Sequence, residues 1–402
     1  MGIDPRGMDN LEIRKVNCAA ILATLRSHGS MSRRKIAELT QLSFPTVSRL
    51  VSELVKEEVV REVGSVSLNN AKRKTVLLDV NPDRGWVVAM ELGGGHIQAA
   101  AMDLTGKLHE HMEYPLENIQ GEAMVAPIIR TTIEQLIAKC EGSRGKPLAI
   151  GISSTGWVDP SLGVVKHSFN LQLNNFPIVR VARQVCDVPI AINDNIVAST
   201  FAEAKLGYGR LQDSFAYLSV GVGIGGGYVL NQQVLHMHSR SQFGLMVVAP
   251  EGDPERFEGR GYIESLASGR SIAASARKAI EAGGKSLISD MSPQGPAYIT
   301  AKMVADAARE GDSIAIEIME KATNYLGIAI VNVSNLFAIT HFVLNGGVCA
   351  SGRVFWDPLT KAVQKYEYWP GEIQLVPSSF QENAAVLGAG LLALDCAFEL
   401  IS

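Results

Sequence analysis

The amino-acid sequence predicts an α/β protein, with a winged helix-turn-helix at the N-terminal end and a two-lobed α/β body behind it. Three observations carry the prediction. Within residues 1–80, a helical run, a short helix, a tight turn and a capped helix precede a basic hairpin. After Asn81-Pro82, strand-like runs alternate with helical ones, the pattern of an α/β layer. Two strand–glycine–strand hairpins recur in the body: residues 87–92 run into Gly93-Gly94-Gly95, and residues 215–220 run into the glycine-rich stretch 221–227. Glycine tolerates positive φ and lets a backbone approach a ligand, so the repetition suggests two related lobes around a cleft.

The head is read first. Ile13, Val16, Ala20, Leu22 and Leu25 recur at helical spacing until Gly29 and Ser30 break the pattern. Ser32 is a candidate N-cap for a helix over residues 32–40, and Gln41-Leu42 turns the chain. Ser43 can cap a third helix, with Pro45 in a first turn where its missing N–H costs little. Val47, Leu50, Val51 and Leu54 should face the core, leaving Phe44, Thr46, Ser48, Arg49 and Ser52 on or near the outer side. Short polar groups and an arginine suit base edges in a major groove. Residues 59–63 and 76–80 read as two strands joined by a wing tip containing Lys72, Arg73 and Lys74, which suits phosphate or a minor groove. The expected DNA-contacting set is Arg33, Arg34, Ser43, Phe44, Thr46, Ser48, Arg49, Lys72, Arg73 and Lys74. The competing reading is a three-helix module for protein contact, with Arg33, Arg34 and Lys35 merely solvated.

In the body, residues 148–152 form a buried strand reaching Ser153-Ser154-Thr155-Gly156. Residues 188–192 form another, delivering Asn193-Asp194-Asn195 before a helical segment over 197–204. Polar residues at the carboxyl end of a buried strand are a usual ligand position. Residues 342–344 lead as a strand into Asn345-Gly346-Gly347, and the small residues of 384–394 suit a closely packed helix.

Bulk properties narrow the function. The 402 residues are 47% hydrophobic and 19% charged, an ordinary globular composition with room for two or three domains. No run of 18 apolar residues and no basic-then-apolar leader occurs, so neither a membrane span nor a secretory signal is expected. Residues 1–7 are expected to be an appended leader, with Met8 the natural start. Cys18, Cys140, Cys186, Cys349 and Cys396 are scattered without a CxxC, which fits a reducing cytoplasm. Residues 1–80 hold 13 basic and 9 acidic residues, a balance of +4, against 24 and 32 in the remainder, −8. A basic head on an acidic body fits an anionic partner for the head.

With these residues in view, the chain from about Leu11 onward resembles the ROK (repressor, open reading frame, kinase) family, and more narrowly its transcriptional regulators. The likeness rests on the winged head, both glycine hairpins, Asn345-Gly346-Gly347 and Arg260-Gly261-Tyr262-Ile263-Glu264. It implies an actin-like, ribonuclease H-like body with a sugar site in its cleft, and oligomers that read paired DNA half-sites. The expected divisions are a head at 9–81, a first lobe from 82–194 plus 382–402, and a second lobe at 195–381.

Departures from the family's kinases shape the functional expectation. Their first hairpin starts with aspartate and ends in a threonine; the matching positions here are Glu91 and Gly95. Val222 replaces a threonine of the second hairpin. Gly93, Gly94, Gly95, Gly223, Gly225 and Gly226 are therefore expected to form degenerate phosphate loops, and neither loop is a Walker A motif. The kinases' proton-accepting aspartate aligns with Asn195, and an amide cannot act as a general base. Asp194 precedes it and should point to the opposite face. The family's zinc-binding histidine and cysteines fall on Leu245, Glu255, Phe257 and Tyr262, so no metal is expected. His236-Met237-His238 has no evident partner ligands.

Asn170, Asp194, Asn195, Gln242 and Glu264 are expected to line a sugar or sugar-phosphate site, unless the body is a purely structural remnant. The expected protein is a cytoplasmic, non-catalytic, cofactor-free transcriptional regulator of carbohydrate metabolism, most simply a repressor. It would bind double-stranded operator DNA as a homodimer or homotetramer. The rivals are an ATP-dependent sugar kinase with an added head and a partner-binding protein.

Overall fold

The computed structural model describes residues 10–67, 74–116, 119–235, 243–252 and 259–401. Helix α1 (Asn10–His28) is followed by α2 (Arg33–Thr40) and α3 (Phe44–Lys56). Ser32 Oγ accepts from the Lys35 N–H and Ser43 Oγ from that of Thr46, each at 3.3 Å, so both predicted caps hold a helix start. Gln41 ends α2 in the left-handed region at φ 58°. Val47, Leu50, Val51 and Leu54 are buried together with Ile21, Leu22, Leu25 and Ile36. Strands β1 (Val60–Ser67) and β2 (Lys74–Val80) pair antiparallel as the wing. They run longer than the apolar pattern indicated, because the outer wing exposes both faces and has no core side to mark in sequence.

Two compact units follow from the chain's own contacts: the described residues up to Ser199 together with those from Ala385, and Thr200–Ala384. In the first unit, β3 (Trp86–Leu92), β4 (His96–Asp103) and β5 (Leu108–Pro115) lead to α4 (Glu122–Arg144) and β6 (Ile150–Ser154). A small antiparallel sheet of β7 (Trp157–Asp159), β8 (Val164–Ser168) and β9 (Leu173–Phe176) precedes α5 (Ile178–Arg183), β10 (Ile190–Asp194) and α6 (Asn195–Leu206), whose residues from Thr200 on belong to the second unit. The main sheet has the order β10-β6-β3-β4-β5. Its β3 is buried along its whole length, as a strand covered on both faces should be.

In the second unit, β11 (Phe215–Val220), β12 (Ile224–Leu230) and β13 (Gln233–Val234) are followed by β14 (Val247–Ala249), β15 (Gly261–Tyr262), α7 (Ile263–Ala267) and α8 (Gly269–Glu281). Then come α9 (Leu287–Met291), α10 (Ala301–Arg309), α11 (Ser313–Phe337), β16 (His341–Asn345), α12 (Arg353–Tyr366) and β17 (Gln374–Pro377). Its sheet runs β13-β12-β11-β16-β17. In each unit an antiparallel glycine hairpin supplies the central strand and two parallel strands extend the sheet from it. The repeat inferred from two glycine runs is thus a repeat of topology.

The chain returns to the first unit as α13 (Ala384–Ile401). It packs backbone to backbone. A Cβ at Gly151 would lie 1.8 Å from the Ala389 carbonyl oxygen, and one at Gly388 would lie 1.8 Å from that of Ala198. Ser153 Oγ donates to the Ala385 carbonyl at 3.4 Å. Glycine at 151 and 388 is what permits this approach.

Candidate functional site

The face expected to read DNA is an edge of α3. Phe44, 52% exposed, and Arg49, with its side chain 59% exposed, project from it beside Ser52, while Thr46 and Ser48 are half-buried. Ser43 lies at the same end, but its hydroxyl serves the cap and pairs with Thr46 Oγ1 at 2.8 Å. Arg33 reaches Ser52 Oγ at 3.3 Å, and Arg34 is exposed. Arg49 Nη1 lies 2.9 Å from Glu53 Oε1, and Arg14 Nε lies 3.1 Å from Glu53 Oε2. Partial desolvation opposes ionisation of Glu53, yet these two guanidiniums outweigh it and hold the carboxyl below its ordinary value. Lys74 opens β2 and is exposed; Lys72 and Arg73 lie outside the described residues.

The second cluster lies at the carboxyl ends of β3, β6 and β10. Parallel pairing sets Glu91 beside Ser153 and Ser153 beside Asn193. Antiparallel pairing continues the row through Gln98 to Glu113. One polar row therefore crosses all five strands. Side chains alternate along β10, so Asn193 shares the parity of Glu91 while Asp194 does not, and Asn195 follows as the first residue of α6. Asn195 Nδ2 donates to Glu91 Oε1 at 3.3 Å and to the Leu92 carbonyl at 3.2 Å. Asp194 Oδ1 instead accepts from the Val197 N–H at 2.8 Å, capping α6. Asn170 approaches the first hairpin, its Nδ2 lying 3.0 Å from where a Cβ on Gly94 would be. Gly93 closes the turn by donating to the His96 carbonyl at 2.9 Å, and Gly95 faces open space.

Glu91 is 7% exposed. Burial, with a contribution from the charge of Glu113, pushes its pKa up to about 8. Glu91 Oε2 and Asn195 Oδ1 are both buried and find no partner among the described residues. An unfolded glutamate titrates near about 4.3, so between that pH and 8 the folded chain holds a proton the unfolded chain releases. Stability from this group is therefore greatest in acid and is lost as pH rises through this window, at up to about 1.4 kcal/mol per pH unit. Glu91→Gln keeps the shape and removes the titration. The variant is expected to match the wild type in urea unfolding near pH 5 and to exceed it by on the order of 2–4 kcal/mol at pH 8. A difference independent of pH would mean that Glu91 is ionised in the folded state.

In the second unit, Glu264 lies in the first turn of α7 and accepts from the Ile224 N–H at 3.0 Å through Oε2. A Cβ on Gly223 would meet that oxygen at 2.9 Å. Gly226 is packed against Phe243, where a Cβ would lie 2.7 Å from the phenylalanine Cβ, and half-buried Gly225 lies on β12. Glu264 and the second hairpin therefore form one structural joint. Gln242, His236 and His238 lie outside the described residues.

The zinc set of the family does not fit this chain. Leu245 and Tyr262 offer neither imidazole nor thiolate, and Tyr262 Oη accepts from Arg260 at 3.2 Å. The two glycine hairpins lack the side-chain hydroxyls noted above, since Gly95 has no side chain and exposed Val222 is apolar. Among the described residues, no helix is long and apolar enough to cross a membrane.

Sequence reasoning missed two groups. Glu91 aligns with a lost aspartate, but an acid inside the apolar run Val-Val-Ala-Met-Glu-Leu also signals a buried titratable group. Arg26 gave no signal; its side chain is fully buried, with Nη2 3.0 Å from Asp395 Oδ1.

The ROK family model matches residues 87–396, and a model described as winged helix-turn-helix DNA-binding matches residues 20–61. The xylose repressor of Caldicellulosiruptor bescii is 24% identical over 381 residues, covering 94% of each chain. The glucokinase of Thermotoga maritima is 26% identical over 312 residues, covering 75% of this chain and 95% of that one. A solved ROK family transcriptional regulator, described as a homolog of the E. coli MLC protein, shares the fold with a TM-score of 0.82 at 21% identity, covering 97% of this chain and 98% of that one.

Proposed function

The chain belongs to the ROK family, and from that premise we propose that it is a DNA-binding repressor of carbohydrate metabolism whose body senses a sugar instead of phosphorylating it. One observation carries the choice of sensor over kinase. Counted along the chain, the position of the kinases' base falls on Asn195, and its amide is spent on Glu91 and the Leu92 carbonyl. Asp194, the neighbouring carboxylate, is spent on the start of α6. The likeness to a xylose repressor along nearly the whole chain supports the same reading.

In this reading Phe44, Arg49 and the outer edge of α3 enter a major groove, and Lys72, Arg73 and Lys74 of the wing contact the backbone. A cytoplasmic homodimer or homotetramer presents one head per half-site. Asn170, Asn195, Gln242 and Glu264 serve a sugar or sugar phosphate, with Asp194 holding the strand end in place. The sugar changes operator affinity to the extent that it favours one arrangement of the protein over another.

Two measurements test this. Selection from a random duplex library should enrich a two-half-site sequence whose affinity falls steeply with salt. A thermal-shift screen of pentoses, hexoses and their phosphates should find one compound that raises the melting temperature. The same compound should alter affinity for the selected duplex. Failure to enrich any sequence removes the repressor; enrichment with no responding sugar leaves a repressor with a purely structural body.

A further inference from the structure

We propose that Arg26 is a positioning residue: clamped between α1 and α13, it makes the last helix a strut that sets the DNA-reading head against the first sheet of the body. The inference rests on the DNA-binding reading above and adds to it the element that orients the head.

The strut has two ends. At its start, α13 meets the strand and helix beside Asn195 without slack. The closest approaches are those of Gly151 to the Ala389 carbonyl and of Gly388 to the Ala198 carbonyl, three residues beyond Asn195. A Cβ on Gly390 would also lie 2.4 Å from Met102 Cε and 3.0 Å from Ala89 Cβ, tying the helix to β3 and β4. Close-packed contacts of this kind transmit a shift because they cannot absorb one. At its far end, Asp395 Oδ1 lies 3.0 Å from Arg26 Nη2, and the guanidinium carbon lies 5.4 Å from the centre of the Phe398 ring. Ala385 and Asp395 are separated by about 15 Å of helix at 1.5 Å per residue. One rigid rod thus touches the Asn195 region and the head.

The clamp is unusual in its chemistry. The Arg26 side chain has no exposed surface, whereas Asp395 keeps 42% of its own. Arg26 Nε and Nη1 are buried without a partner among the described residues. A charge taken from water and met by one carboxylate and one ring is a poor way to gain stability. It is an effective way to fix an angle, since planar guanidinium, carboxylate and ring leave few relative orientations. Arg26 also lies in the last turn of α1, beyond Cys18, Ile21, Leu22 and Leu25 of the head's own core. Its removal should therefore loosen the head as a body without unfolding it.

Arg26→Met fills the same volume without charge, and Asp395→Asn weakens the clamp from its exposed side. Both variants are to be titrated, in the full chain, against duplexes carrying one selected half-site, and against two half-sites at stepped separations. The expected result is single-half-site affinity within about twofold of wild type, with the wild-type penalty for wrong spacing reduced at least fivefold. A structural role alone would lower the melting temperature and leave the spacing preference unchanged. Amide hydrogen exchange supplies an arm that needs no DNA. The last turns of α1 and α13 should exchange faster in both variants, while α3 keeps its protection. A spacing preference as sharp as wild type, or unchanged exchange in these turns, overturns the proposal. If the wild type itself binds no duplex, the repressor reading has failed, and exchange alone decides whether Arg26 holds the head.

Discussion

Asn195→Asp is expected to destabilise the protein by on the order of 3 kcal/mol at pH 8, with most of that loss recovered near pH 5. The reason is local. Asn195 Nδ2 now donates to Glu91 Oε1 and to the Leu92 carbonyl. An aspartate has no N–H for either, so a carboxylate would face a carboxyl and a carbonyl oxygen in a buried place. Two adjacent acids cannot both ionise cheaply, and the pair holds a proton to higher pH than either alone. In acid both are neutral and the added carboxyl can donate, so the penalty fades. Urea unfolding at the two pH values measures the effect. Equal stability at both would place residue 195 away from Glu91. The same variant tests the kinase alternative: the proton acceptor would be restored, but Gly95 and Val222 still lack hydroxyls, so no sugar-dependent ADP release is expected. Turnover in this variant would return the protein to the kinases.

Arg49→Ala is expected to weaken operator binding about 10- to 100-fold, the worth of a base-reading arginine at 1–3 kcal/mol. Arg49 is poised for that role: it stands out from α3 and is held by Glu53 at 2.9 Å. An exposed pair one helical turn apart contributes a few tenths of a kcal/mol, so DNA can take the guanidinium from Glu53 at little cost. Lys74→Ala should behave differently, weakening all duplexes alike and lowering the salt slope by about 1, as a phosphate contact does. Fluorescence anisotropy against the selected duplex and its single-base variants separates the two. If Arg49→Ala weakens every sequence equally, Arg49 touches the backbone and not a base.

The head was legible because its signals are local. Ser32 and Ser43 cap the helices they precede, and Val47, Leu50, Val51 and Leu54 bury the face their spacing implies. The wing's length was less legible, since its outer residues face water on both sides. The expectation that the kinases' catalytic position falls on Asn195 could be counted along the chain, but the contacts of Asn195 and Asp194 could not. Sequence separation gives no hint that Asn195 meets Glu91, which is 104 positions earlier. The family likeness matches Glu264 to a sugar contact, and the fold shows it holding the second hairpin by the Ile224 N–H.

By itself the order of residues determined which elements form, where they start and which faces are apolar, because caps, turns and periodicity act over a few neighbours. Tertiary structure alone decided that a glutamate inside an apolar strand keeps its proton toward pH 8, and that an arginine of the first helix is clasped by the last. Both outcomes depend on exclusion from water and on partners brought from far along the chain, quantities that exist only once the sheet and α13 have packed.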